Sequence, residues 1–409
     1  MKIAVIGGGA SGLVAAIVAA RNGAQVSIYE KLNRVGKKIL ATGNGRCNFT
    51  NMNLCLDCYH GNIKKAQSVM EFFDLYKTLE FFEDLGIHPY IDEKGKVYPN
   101  SLQASSILDV LRYELKRLNV EEKTDFNVRE LRKSKDKFSI IGTDTVTADR
   151  IILATGGKAS PQLGSDGKGY ELAKSFGHSI LEPFPALVQL KLEGKYFKRM
   201  AGIKFDGLVK GYSGDKLIRE EEGEILFTDY GISGPPVLQI SRRVIEELYK
   251  GREPYIVVDM FPQYTKIALY DILQDRFRRV GYKTLEEGLI GFINKKLIPV
   301  ILYEAGFDNL DKLCGKLNKK EIYRIINILK EWKFPVTGHN SWQQAQSTAG
   351  GVNLNEVNPQ TLESQKVKGL YFAGEILDVD GDCGGFNLQW AWSSGYTAGY
   401  YSSIDGRII

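Results

Sequence analysis

The chain has 409 residues, 43% of them apolar, which is enough for two or three packed domains. Its 54 Lys and Arg against 49 Asp and Glu leave a net charge of only +5, and no basic run carries interleaved aromatics, so nucleic acid is not an indicated partner. Five cysteines do not make a disulfide scaffold, and no segment approaches 18 uninterrupted apolar residues, so no membrane span is expected.

The first element is the most informative. Ile3-Ala4-Val5-Ile6 reads as a buried strand, and Gly7-x-Gly9-x-x-Gly12 turns it into a helix that opens on Ala10 and Ser11. The first amides of such a helix can hold a pyrophosphate. A second strand ends at Glu30, 18 residues beyond Gly12, where an acid accepts hydrogen bonds from ribose hydroxyls. A carboxylate there argues for an unphosphorylated ribose, hence FAD or NAD rather than NADP. The motif starts at residue 3, which leaves no place for a signal peptide and makes a cytoplasmic location the expectation.

Next, Thr42-Gly43-Asn44-Gly45-Arg46-Cys47-Asn48 offers small residues, side-chain amides and one permanent cation, a set suited to a flavin's polar edge or an anionic group. Lys37 and Lys38, just before it, are candidates for phosphate binding or for plain solvation. Helical spacing of apolar residues covers Ile63–Leu85 and Ser105–Leu118. Phe126–Leu131, Phe138–Gly142 and Thr145–Ala148 predict a small meander, and Arg150 to Leu153 a buried strand ending in Thr155-Gly156-Gly157. From about Leu187 to Met260, short strands broken by glycine suggest a β-rich module. From Ile267 to Trp332 the spacing is helical, with breaks at Pro299 and Gly306.

Ser347–Val352 and the strand running from Gly369 to Glu375 read as a return to the first domain. Such a return wraps a long cofactor from both ends, which favours FAD over NAD, whose simple fold is contiguous. Glu375 is placed to accept from ribitol hydroxyls, or serves as a helix cap or surface acid. The glycines between Asp378 and Gly395 bring backbone close to something flat, and a helix beginning at about Asn387 would turn its positive end toward the flavin N1 and O2 edge. Trp390 and Trp392 read as core.

Val35 to Asn51, Leu226 to Pro235 and Gly384 to Ser394 closely resemble the BaiN/RdsA-like (YhiN-type) bacterial NAD(P)/FAD-dependent oxidoreductases, and the likeness spans nearly the whole chain. The resemblance implies an α/β fold: a discontinuous Rossmann-like FAD-binding domain, residues 1–188 and 338–409, with an insert at 189–337. The insert's first part, 189–262, is expected to be β-rich and barrel-like, and its second part, 263–337, helical. A more distant likeness to the fumarate-reductase type maps ribitol and flavin binding onto Gly374, Glu375, Asn387 and Leu388, with Gly385 and Phe386 beside them. The same likeness puts Val128 at the adenine, Thr155 and Gly156 at the adenosine and Lys31 at the ribose. It likens Ser347 to Gly351 to a Thr-x-Gly-Gly segment near the flavin. Where the family reads Phe-Thr-His, this chain reads Phe227-Thr228-Asp229, so any imidazole acid or base used there is missing. Arg46, Asp229 and Tyr230 are the catalytic candidates. The four histidines, His60, His88, His178 and His339, have no metal-type partner nearby, and no metal is expected.

No second strand-GxGxxG-helix unit appears between residues 157 and 370, and the Gly164–Gly169 segment lacks the strand such a unit needs. The expected cofactor is therefore non-covalent FAD, reduced by NAD(P)H that docks transiently or by a partner redox protein. The insert is expected to cap the flavin and shape a pocket for a small-molecule substrate. The expected reaction is hydride transfer from flavin N5 to an activated C=C bond in an enone of steroid or bile-acid type. Alternatives are an aminoacetone-type amine oxidase using oxygen, a disulfide reductase built on Cys55-x-x-Cys58, and a flavin sensor without turnover.

Overall fold

The computed structural model describes residues 1–404. The chain divides into two compact units, Met1–Ala186 with the stretch from Trp342 onward, and Leu187–Ser341. The first unit opens with β1 (Lys2–Ile6), α1 (Ala10–Arg21) and β2 (Gln25–Tyr29). Ile3 to Ile6 are all buried, as a central parallel strand covered on both faces requires. Next come α2 (Lys37–Ala41), β3 (Thr50–Asn51), β4 (Tyr59–Gly61), α3 (Ile63–Phe72) and α4 (Leu75–Asp84). The periodicity over Ile63–Leu85 thus covers two helices. Phe73 leaves the helical region at φ −130°, and the Asp74 carboxylate caps α4 by accepting from the Lys77 amide at 2.9 Å.

After β5 (Pro89–Ile91), β6 (Lys96–Pro99), α5 (Ala104–Arg117) and β7 (Glu121–Lys123) comes a meander of β8 (Glu130–Ser134), β9 (Lys137–Ile141) and β10 (Thr145–Ala148). Its first strand begins at Glu130, not Phe126. Asp125 turns left-handed (φ 54°), the Phe126 amide donates to the Glu30 carbonyl, and the Phe126 ring packs edge-on against Tyr29 at 4.9 Å. This stretch walls β2 instead of pairing in the meander. The unit's first pass ends with β11 (Arg150–Leu153), α6 (Lys168–Ser175) and β12 (Ile180–Ala186).

The second unit holds β13 (Leu190–Leu192), α7 (Phe197–Met200), β14 (Lys204–Ser213), β15 (Lys216–Thr228), β16 (Gly231–Ser233), α8 (Pro235–Tyr249) and β17 (Pro254–Asp259). Then come α9 (Lys266–Arg279), α10 (Leu285–Leu289), α11 (Ile298–Glu304), α12 (Lys319–Glu331) and β18 (Trp332–His339). Six strands close a barrel in the order β13-β16-β15-β14-β17-β18 around Phe227, Trp332 and Phe334. The stretch read as β-rich contains the 15-residue helix α8, and the stretch read as helical ends in the strand that closes the barrel. Pro299 sits in the first turn of α11, where its missing amide costs nothing, so it starts a helix there.

The chain re-enters the first unit with β19 (Ser347–Val352), β20 (Leu370–Phe372), β21 (Val379–Gly381) and α13 (Phe386–Ser403). The parallel sheet runs β20-β11-β1-β2-β7, so a strand from the far end of the sequence lies beside β11. Helix α13 packs on α1 through glycines. A Cβ on Gly395 would lie 2.4 Å from the Ser11 carbonyl oxygen, and one on Gly399 would lie 2.5 Å from that of Ala15. Because both partners advance by four residues, the two helices run parallel. Among the described residues, no helix is long and apolar enough to cross a membrane.

His178, buried between α6 and β12, joins the unit's halves through a 2.7 Å hydrogen bond between its Nε2 and the Ser364 hydroxyl. Burial pushes its imidazole below the ordinary value of 6.5, Glu356 opposes the shift and Lys366 adds to it. The folded state therefore refuses a proton that the unfolded chain accepts. The resulting stability is present above pH 6.5 and is lost as the pH falls below it. In His178→Gln the drop in melting temperature between neutral and mildly acidic buffer is expected to be smaller than in the wild type; equal drops would refute this.

Candidate functional site

A cavity opens in the first unit where the turns after β1 and β11 meet the starts of α1 and α13. Gly7 requires glycine, since at φ 106° a Cβ would stand 2.4 Å from the Ala154 carbonyl oxygen. Gly9 faces open space, with nothing within 4 Å of where its Cβ would be, so a ligand can approach the backbone. Gly12 is not in the lining. It lets α1 sit against the turn, its Cβ position being 2.0 Å from the Gly7 carbonyl oxygen. No side chain caps α1, which leaves its first amides, around Ala10 and Ser11, to an anion.

Glu30 fixes this turn: its Oε2 accepts from the Gly8 amide at 2.8 Å and its Oε1 from the Leu32 amide at 2.9 Å. A carboxylate has about four acceptor positions, so it can still take hydroxyl donors. Glu30, Gly7, Thr155 and Gly164 also line a smaller adjoining cavity, together with Tyr29, Lys31, Phe126 and Val128. At this end Lys31 pairs with Asp166 at 2.8 Å. Burial pushes the Asp166 carboxyl up, but Lys31 and the Lys168 amide outweigh it and hold it below its ordinary value. The Thr155 hydroxyl is buried and has no hydrogen-bond partner, as expected of a group that awaits a ligand.

Further along the cavity Lys38 crosses to Glu375, with Nζ 2.8 Å from Oε2. Glu375 Oε1 also accepts from the Thr348 amide at 2.7 Å and the Ser347 hydroxyl at 3.2 Å. The Asn387 side chain clamps β21, its Oδ1 accepting from the Gly381 amide at 2.9 Å and its Nδ2 donating to the Gly381 carbonyl at 2.7 Å. Lys37, Lys38, Thr42, Gly156, Glu375, Asn387 and Leu388 all line the cavity. Gly374 supports it from behind: at φ 81° a Cβ would meet the Ser11 hydroxyl at 2.4 Å.

Other predicted residues fall outside this lining. Gly385, at φ 103°, precedes α13 with its Cβ position 2.6 Å from the Thr50 carbonyl oxygen, and Phe386 packs edge-on against Tyr59. Gly43, Arg46, Cys47 and Asn48 are also absent from it. Arg46 is exposed and lies over the Tyr98 ring at 5.2 Å; Cys47 is buried, and that burial pushes its thiol up to about 12. Asp229 and Tyr230 form the turn between β15 and β16 in the second unit, where the Tyr230 carbonyl accepts from the Leu192 amide. The sequence reading missed Arg34, Gln346 and Val379, which do line the cavity. Trp390, read as core, is both 1% exposed and part of the wall. Gln346 had a signal, since it immediately precedes the Ser347 to Gly351 segment.

The two helix starts set the cavity's length. Gly395 stands level with Ser11 near the start of α1, while α13 begins about eight residues earlier, so its N-terminus projects about 12 Å further along the same seam. An anion site at one helix start, acceptors midway and a second helix start beyond them suit an extended dinucleotide such as FAD. The HI0933-like protein Rossmann domain matches residues 1–401. The chain belongs to the HI0933-like family.

Across 403 residues, this HI0933-like chain is 44% identical to a 3-dehydro-bile acid delta(4,6)-reductase of Clostridium scindens, covering 97% of this chain and 98% of that one. It is 29% identical over 397 residues to a ribosomal RNA dihydrouridine synthase of Escherichia coli, covering 96% and 95%. Among solved structures it is similar in fold to a 3-ketosteroid delta1-dehydrogenase from Sterolibacterium denitrificans, with a TM-score of 0.50, 12% identity and coverage of 98% and 99%. The protein is an oxidoreductase with a Rossmann-like core.

Proposed function

We propose that this enzyme reduces an activated carbon–carbon double bond in a small molecule, an enone of bile-acid or steroid type. The observation that carries the reading is the 44% identity, along nearly the full length of both chains, to an enzyme named as a bile-acid reductase. In this reading the smaller cavity holds the adenosine, the start of α1 the pyrophosphate, and Glu375 with Lys38 the ribityl chain. Bound FAD, once reduced, supplies a hydride at its N5. The residues of the chain hold and polarise. The start of α13 would offer its positive end to the flavin edge where negative charge gathers, and Asn387 would steady that wall by holding Gly381. NAD(P)H, or a redox partner protein, is proposed as the electron source.

The test is anaerobic. Purified protein with its flavin reduced by NADH, by NADPH or photochemically is offered a 3-oxo-Δ4 bile acid, a primary amine in the oxidised state, and ribosomal RNA. Return of the oxidised-flavin absorbance with the enone, and appearance of the saturated product, is the expected result. Flavin bleaching by the amine, followed by peroxide release in air, would replace the reading with an oxidase. Reoxidation by RNA alone, with dihydrouridine formed, would favour the activity named for the 29% identical relative.

A further inference from the structure

Cys55 and Cys58 stand at the two ends of a short turn, Leu56–Cys58, that feeds directly into β4. Their sulfurs are 2.8 Å apart, Cys55 is exposed and Cys58 is half-buried. Two thiols already this close, three residues apart and open to solvent on one side, can be joined without moving the backbone far. The turn is also tied to the cofactor cavity. β4 pairs with β21, Tyr59 opposite Gly381 and Gly61 opposite Val379, and Val379 lines the cavity. The Asp382 amide donates to the Cys58 carbonyl at 2.9 Å, and His60 Nε2 lies 2.8 Å from the Asp382 carboxylate, both groups buried. Asn387, itself in the lining, holds Gly381 from the other side.

We propose that Cys55 and Cys58 form a reversible regulatory disulfide by exchange with a low-molecular-weight disulfide, and that closing it stiffens the β4–β21 wall of the cofactor cavity. The Cys55 thiolate attacks one sulfur of the small disulfide, forming a mixed disulfide and releasing the first small thiol. Cys58 then loses its proton and attacks the Cys55 sulfur, closing the protein disulfide and releasing the second thiol. Two electrons and two protons thus pass from the protein to the small disulfide. The order follows from exposure, because Cys55 is the open thiol, while burial and the Cys55 thiol push Cys58 up to about 12. This differs from a disulfide-reductase reading, since the pair is the regulated group and not the conduit to a substrate. Disulfides in reducing compartments are usually of this transient kind.

The experiment treats the reduced holoprotein with oxidised glutathione, alkylates the remaining thiols and maps them by mass. The expected wild-type product is a Cys55–Cys58 peptide lighter by two hydrogens and restored by dithiothreitol. Cys58→Ser is expected to accumulate glutathione on Cys55, while Cys55→Ser takes up none in the same time. Five alkylatable thiols after treatment, or pairing of Cys58 with Cys383, would overturn the proposal. Coupling to the cavity rests on its assignment to FAD and is read separately, as flavin release on dilution. Release severalfold slower from the oxidised form is expected, and an unchanged rate with the disulfide formed would overturn the coupling. A protein that holds no FAD fails the assignment instead, and the thiol map still decides the exchange.

Discussion

Gly399→Leu, and likewise Gly395→Leu, is expected to destabilise the first unit by about 3 kcal/mol or more and to yield protein largely without flavin. At both positions the obstacle is backbone: the Cβ would stand 2.5 Å from the Ala15 carbonyl oxygen or 2.4 Å from that of Ser11, and helix carbonyls cannot swing aside. The helices must part, and their separation acts on function as well as stability. Ser11 lies in the turn proposed to hold the pyrophosphate and α13 carries Asn387 and Leu388, so moving one helix from the other pulls apart the two ends of the cavity they line. Thermal melts and the ratio of flavin to protein absorbance measure both effects. Gly338→Ala, at a position where nothing lies within 4 Å, is the control expected to change neither. Melts within a degree of wild type for Gly399→Leu would show that the seam is looser than its geometry implies.

This seam also shows what could be read in the sequence and what could not. Gly7-x-Gly9-x-x-Gly12 and Glu30 were legible because each answers a local need: a left-handed turn, an open approach, a carboxylate at a strand end. The start of α13 was legible for the same reason, its glycines marking the turn before Asn387. Gly395 and Gly399 were not singled out, since their need is set by a helix almost 400 residues away in sequence. The last barrel strand was missed although Trp332, Phe334 and Val336 are buried and alternate with exposed Lys333, Pro335 and Thr337. Within it the Pro335 carbonyl accepts from the Glu193 amide, and the strand tolerates its missing donor. Arg46 shows why such a loop is hard to read: a cation among glycines suggests a ligand, but an aromatic face such as that of Tyr98 satisfies it as well.

Removing the carboxylate at Glu375 is expected to have the largest effect on cofactor binding, with the FAD dissociation constant of Glu375→Ala raised about 100-fold, equivalent to about 2.7 kcal/mol. Four groups converge on that side chain: Lys38 Nζ, the Thr348 amide, the Ser347 hydroxyl and, at 3.5 Å, the Gly157 amide. Without it the Lys38 ammonium, only 28% exposed, has lost its counter-charge and the Thr348 amide its acceptor, so the apoprotein is also expected to lose about 2 kcal/mol of stability. Glu375→Gln separates the roles, because an amide oxygen can still accept from Thr348 but cannot neutralise Lys38. Lys38→Met in the Glu375→Ala background then removes the stranded cation and is expected to restore part of the stability while leaving FAD binding weak. Flavin fluorescence titration of apoprotein gives the affinity and melts of the same samples give the stability. If Glu375→Ala kept wild-type affinity, the midpoint of the cavity would not be where the ribityl chain lies, whereas restored stability with restored affinity in the double variant would mean that Glu375 serves only to neutralise Lys38.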